Sequence, residues 1–214
     1  EGNIALTKVD GDYPDNELSG AVFEVYSDTN GDGKLDKDDT LLGEMKELDG
    51  GVYQMSELRY GKYLVKETKA PTGFVLDENV YSVSVEENGK TYTVENKAGV
   101  GFINAAQKGS LKIVKTSSDG KVEGFSFRVT GVDYDQTFKT DKNGEIVIEG
   151  LRIGDYTVSE VSDKASAGYI LPADKQATVK VNATAIVQMH NEFRDTPKTG
   201  DDFNLGLWVS LAAL

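Results

Sequence analysis

Three residue types able to react with one another occur twice in the same order: Lys8, Glu67 and Asn104, then Lys115, Glu160 and Asn191. Each follows two apolar residues at i−2 and i−4. Ile4 and Leu6 precede Lys8, Tyr63 and Val65 precede Glu67, and Val100 and Phe102 precede Asn104. The second set repeats this with Leu111 and Ile113, Tyr156 and Val158, and Val187 and Met189. Residues two apart on a β-strand share a face, so six strands aim a polar tip at an apolar interior. Burial there drives a lysine to shed its proton and a glutamate to keep one. The neutral amine is then a nucleophile, and the protonated acid can polarise a carboxamide. Attack at the asparagine Cγ with departure of ammonia leaves an isopeptide bond. Glu67 and Glu160 are the candidate catalytic acids, and Lys8–Asn104 and Lys115–Asn191 the candidate bonds. Asn96, in TVENK, is a rival acceptor in the first set, but the parity and spacing of Asn104 match those of Asn191. Each event happens once, which makes it self-modification and not enzymatic turnover.

The elements around these residues read as strands. GNIALTKVD and GAVFEVYSD alternate with period two, and further strands are expected near 51–56, 61–68, 79–86, 90–95 and 99–104. Turns are expected at Asp49–Gly51 and Asn88–Gly89, and no stretch carries a long helical period. At residue 109 the pattern restarts. GSLKIVKTSSDGK echoes GNIALTKVDGDYP, GFSFRVTG echoes GAVFEVYS, and GDYTVSEVSDKASAGY echoes GKYLVKETKAPTGF. The expected organisation is all-β: two tandem β-sandwiches, 1–107 and 108–194, followed by a distinct tail, 195–214.

The first sandwich carries an insertion, DTNGDGKLDKDD at 28–39. Oxygens from Asp28, Asn30, Asp32, Asp36 and Asp39 fall at positions 1, 3, 5, 9 and 12, with Gly33 at position 6 and the Lys34 carbonyl at 7. That is the order in which a loop surrounds a hard cation, and a structural calcium ion is the expected cofactor. The last ligand is Asp where Glu is usual.

Bulk properties narrow the functional classes. A net charge of −13 over 214 residues argues against a nucleic-acid surface, and the lack of cysteine excludes disulfides and thiolate chemistry. The single histidine, His190, falls on the strand face opposite Asn191, away from any triad. The chain starts at Glu1 without a leader pattern and so reads as a mature segment or a fragment.

LTKVD and IVKTS, YLVKETKAPTGF and YTVSEV, and FIN and MHN resemble the B-type, prealbumin-like domains of Gram-positive collagen adhesins and pilins. The resemblance spans residues 2 to 194 and implies inverse immunoglobulin-like sandwiches with lysine–asparagine isopeptide bonds. The second copy departs from it: the proline is gone, and SDKASAGY runs two residues longer. TPKTG, at 196–200, resembles the sortase signal LPxTG, which implies cleavage between Thr199 and Gly200 and transfer to peptidoglycan. The apolar FNLGLWVSLAAL that follows is too short for a bilayer span and reads as the start of a truncated membrane anchor. The expectation is an extracellular, cell-wall-anchored stalk whose partners are sortase, peptidoglycan and a host or matrix ligand bound through upstream domains. A minor or basal pilus subunit, or the anchor module of a wall-attached hydrolase, is the alternative; no YPK-type lysine is present.

Overall fold

A computed structural model of the chain describes residues 1–194. In the first half, nine strands follow in order: β1 (Gly2–Asp10), β2 (Val22–Ser27), β3 (Thr40–Glu44), β4 (Lys46–Glu47), β5 (Val52–Leu58), β6 (Gly61–Lys69), β7 (Val80–Val85), β8 (Thr91–Thr93) and β9 (Phe102–Asn104). They form two sheets. One has the order β4-β5-β1-β8 with β9 also on β1, and the other has the order β3-β2-β6-β7. Alternation explains the layering: Ile4, Leu6 and Lys8 turn inward from β1, as do Tyr63, Val65 and Glu67 from β6. Between the sheets Phe23 meets Tyr53 and Phe102 edge-on, with ring centroids 5.2 and 4.9 Å apart.

β1 positions the chemistry. It pairs antiparallel with β5, setting Leu6 opposite Tyr53, and parallel with β9, setting Lys8 opposite Phe102 and Asp10 opposite Asn104. The chain enters β9 through Gly101 at φ 136°, where an added Cβ would stand 2.8 Å from the Thr7 carbonyl oxygen. Glycine is required at that approach. Glu67 arrives from the opposite sheet, on β6, in register with Phe23 of β2.

In the second half the strands are β10 (Lys108–Ser117), β11 (Ser126–Gly131), β12 (Tyr134–Lys139), β13 (Glu145–Arg152), β14 (Gly154–Glu160), β15 (Tyr169–Ile170), β16 (Lys175–Val179) and β17 (Thr184–Phe193). Their sheet orders are β13-β10-β17-β15 and β12-β11-β14-β16. The strands bearing Lys115 and Asn191, β10 and β17, are neighbours, and the strand bearing Glu160 lies in the other sheet. The fold of the described residues is all-β. Among the described residues no helix is long and apolar enough to cross a membrane.

Alternation did not signal β3 and β4. Thr40–Glu44 is an edge strand on which Leu41 and Leu42 both face water, so it has no inward face to leave a period-two trace.

Candidate functional site

In the first domain Lys8, Glu67 and Asn104 come together between the sheets, 0 %, 0 % and 2 % exposed. Lys8 Nζ donates to the Phe102 carbonyl at 3.0 Å and lies 3.9 Å from Glu67 Oε1. Asn104 Nδ2 donates to Glu67 Oε2 at 2.8 Å and to the Val75 carbonyl at 2.9 Å. Two acceptors on one side of the amide fix which way it faces. Glu67 Oε2 also accepts the Asp77 backbone N–H at 2.8 Å.

That leaves Glu67 Oε1 and Asn104 Oδ1 buried without a hydrogen-bond partner. Burial, opposed by the nearby Glu67, brings the Lys8 ammonium down from 10.5 to about 8. About a tenth of the amine is then unprotonated at neutral pH. Burial likewise raises the Glu67 carboxyl, against the pull of the Asp77 and Asn104 donors and of Lys8. An apolar interior favours the neutral amine and neutral acid over the ion pair.

The second domain repeats the plan with different surroundings. Lys115 and Asn191 are buried, Glu160 half-buried. Asn191 Nδ2 donates to Glu160 Oε1 at 2.7 Å, and Glu160 Oε2 and Asn191 Oδ1 have no partner. Lys115 Nζ donates to the Thr116 carbonyl and sits 4.2 Å from the Phe125 ring centroid and 5.9 Å from that of Tyr169. Burial lowers the Lys115 amine and raises the Glu160 carboxyl.

Asn96, the rival acceptor, faces elsewhere. Its Nδ2 donates to Asp77 Oδ2 and the Ile103 carbonyl, both at 2.8 Å, and its Oδ1 accepts the Ile103 N–H at 2.6 Å. His190 is exposed and bridges Thr116 and Glu192.

In the 28–39 loop, Asp28 accepts the Gly31 and Gly33 N–H groups at 2.7 and 3.1 Å, and both glycines have positive φ. Asn30 Oδ1 accepts the Asp32 N–H, Asp32 Oδ1 the Lys34 N–H, Asp36 Oδ1 the Asp38 N–H, and Asp39 the Thr29 and Asp36 N–H groups. Among the described residues no three acidic or imidazole side chains are gathered to hold a metal. TPKTG, with Thr199 and Gly200, lies outside the described residues.

Sequence reasoning missed Asp77 and Tyr81, which flank the first acid, and the two rings beside Lys115. The trace was present for the first pair: Asp77, Asn79 and Tyr81 stand two apart, running into β7.

The model of the SpaA prealbumin-like fold domain matches twice, at residues 2–98 and 109–193. The chain belongs to this family. Among solved structures, the Bacillus anthracis TIE protein superposes with a TM-score of 0.67 at 24% identity, over 90% of this chain and 34% of that one. The chain therefore spans about a third of that structure's length. The minor pilin GBS52 of Streptococcus agalactiae gives a TM-score of 0.39 at 17% identity, covering 92% of this chain and 98% of that one. The shaft pilin SpaA of Lactobacillus rhamnosus GG gives 0.40 at 15%, covering 90% and 98%. No curated protein sequence matches this chain. The first match takes in Lys8 and Glu67 and ends ahead of β9, which carries Asn104; the second takes in Lys115, Glu160 and Asn191.

Proposed function

We propose that this chain is a stalk segment of a Gram-positive surface protein, adhesin or pilin, whose two sandwiches each weld themselves with a lysine–asparagine isopeptide bond. One observation carries the reading. Among the described residues, the buried side-chain polar atoms without a hydrogen-bond partner are one oxygen each from Glu67, Asn104, Glu160 and Asn191. Each such oxygen costs about 1–3 kcal/mol, and native interiors avoid them. The same cost at the same two residue types in both domains marks groups placed to react rather than to rest.

The first site supplies the steps. Glu67 Oε1 takes a proton from the Lys8 ammonium, and the freed lone pair attacks Asn104 Cγ. Negative charge develops on Oδ1. The surplus proton on the new C–N nitrogen passes through the acid to Nδ2, which already lies 2.8 Å from Glu67 Oε2. Ammonia leaves, an amide joins the two strands, and Glu67 ends protonated. Enclosure of the three groups between sheets supplies the proximity that makes an unactivated amide reactive, on the order of 7–11 kcal/mol.

Such a bond crosses from the first strand of the domain to the last, so tension bypasses the backbone ladder between β1 and β9. This suits a stalk. TPKTG at 196–200 supports attachment through Thr199, by sortase cleavage before Gly200 and transfer to peptidoglycan, with ligand binding left to upstream domains. The location is then extracellular, on the cell wall. Intact mass tests the welds: the folded chain is expected to weigh about 34 Da less than its sequence, one ammonia per bond. A full sequence mass would sink the reading.

The 28–39 loop is read as a structural calcium site. Its donors are all hard oxygens, from Asp28, Asn30, Asp32, Asp36, Asp39 and the Lys34 carbonyl, on a backbone turned by Gly31 and Gly33. Carboxylates that now accept loop N–H groups keep further lone pairs for a cation. Calorimetric titration is expected to show binding in the millimolar to submillimolar range, lost in Asp28→Ala. No heat with the wild-type chain would remove calcium from the account.

A further inference from the structure

We propose that Asp77 is the positioning residue of the first site, setting Glu67 in register with Asn104 and leaving Oε1 as the oxygen that exchanges a proton with Lys8. The inference rests on the isopeptide reading of that site. Its geometry is a web around one carboxylate. The Asp77 N–H holds Glu67 Oε2 at 2.8 Å. The Asp77 side chain accepts Tyr81 Oη–H at 2.6 Å, Asn96 Nδ2 at 2.8 Å, and the backbone N–H and Nδ2 of Asn79 at 3.0 and 2.7 Å. Asn96 in turn grips both the N–H and the carbonyl of Ile103, the residue before Asn104. The acid on β6 and the amide on β9 are thereby tied to one another through Asp77.

With Oε2 already accepting two N–H groups, the unpartnered Oε1, on the Lys8 side, is the free basic position. Four donors keep Asp77 ionised against the cost of its own burial, and its charge favours the protonated forms of both Glu67 and Lys8. The other charges acting on this pair are the two residues on one another and Asp10 of β1. The second domain lacks this arrangement. The Asp163 N–H goes to Ser166 Oγ, and Glu160 Oε1 is held by Asn191.

The test follows linking of the full chain, collected in urea before folding and diluted into buffers of different pH, with the Lys8–Asn104 cross-link quantified by peptide mass mapping. Asp77→Asn keeps the backbone N–H and removes the charge. Losing that charge makes protons easier to remove from both reacting groups, so both limbs of the bell-shaped rate profile move about one unit toward acid. On the alkaline limb linking is then about tenfold slower at a given pH. A merely structural defect lowers the rate at every pH and leaves the limbs in place. A wild-type chain that links while the Asp77→Asn limbs stay put overturns this inference alone. A wild-type chain that loses no ammonia at any pH overturns the isopeptide reading and this inference with it. If Asp77→Asn does not fold, Tyr81→Phe carries the test, since it keeps the ring and the charge but removes one donor. There slower linking with unmoved limbs is expected, while adding Tyr81→Phe to a chain made unlinkable by Asn104→Ala leaves its urea midpoint unchanged; a wild-type rate, or a midpoint that falls with the rate, overturns the role of the web.

Discussion

Glu67→Gln is expected to leave the first domain unlinked, to restore about 17 Da to the mass, and to lower that domain's unfolding midpoint by about 20 °C or more. The substitution keeps the shape of the side chain and removes the proton that it must take and return. Lys8 and Asn104 then remain side by side, 0 % and 2 % exposed, with neither transformed. The magnitude comes from the loop that the bond closes. Joining residues 8 and 104 constrains an unfolded chain of roughly a hundred residues, worth about 4–5 kcal/mol by the loop-entropy relation used for disulfides. A single domain of that length shifts by about 4–8 °C per kcal/mol. The second domain provides an internal reference, because its own acid, Glu160, is untouched. Mass spectrometry and differential scanning calorimetry on one sample check both halves. A Glu67→Gln chain that still lacks two ammonias would remove the acid from the mechanism.

How much of this was legible in the sequence depends on what each residue's neighbours record. Lys8, Glu67 and Asn104 each end an apolar alternation, and strand parity carries them inward whatever the loops do. The enclosure of both lysines and both asparagines follows from that parity alone. Glu160 does not follow it fully: it sits at the last residue of β14 and is only half-buried. Parity does not say where a strand ends relative to solvent. The spacing of Asp77, Asn79 and Tyr81 was visible in the sequence, but Asp77 lies between β6 and β7, where the backbone path, and hence the aim of its N–H, has no period. Parity and spacing favoured Asn104 over Asn96. Contacts separate them, since one amide is satisfied by Asp77 and Ile103 and the other leaves its oxygen bare. The twelve-residue loop was legible as a string of oxygens, but not the direction in which each would turn.

Blocking the bond from its other side exposes the lysine to titration. In Asn104→Ala no acceptor remains, so Lys8 stays a free buried amine beside Glu67. Its folded value lies at about 8, against 10.5 when exposed, so between those values the unfolded chain binds more protons than the folded one. Stability must therefore rise with pH across that window. The gain from pH 8 to 10 is about 2–3 kcal/mol relative to the linked protein. In the linked chain Lys8 is an amide nitrogen and contributes no such slope. Burial raises the Glu67 carboxyl, so its contribution has the opposite sign: stability falls as pH climbs from 4.5 through its folded value. Tyr26, Tyr81 and Tyr169, pushed up to about 12 in the fold, pull stability down beyond pH 10, but do so in both proteins. The difference between the two urea-denaturation curves, taken at pH 8, 9 and 10, isolates Lys8. Parallel curves would mean that Lys8 is free in both chains or that its free amine titrates in the fold as in water; the intact mass of the wild-type chain separates the two, and a full sequence mass would mean that the weld between β1 and β9 is absent.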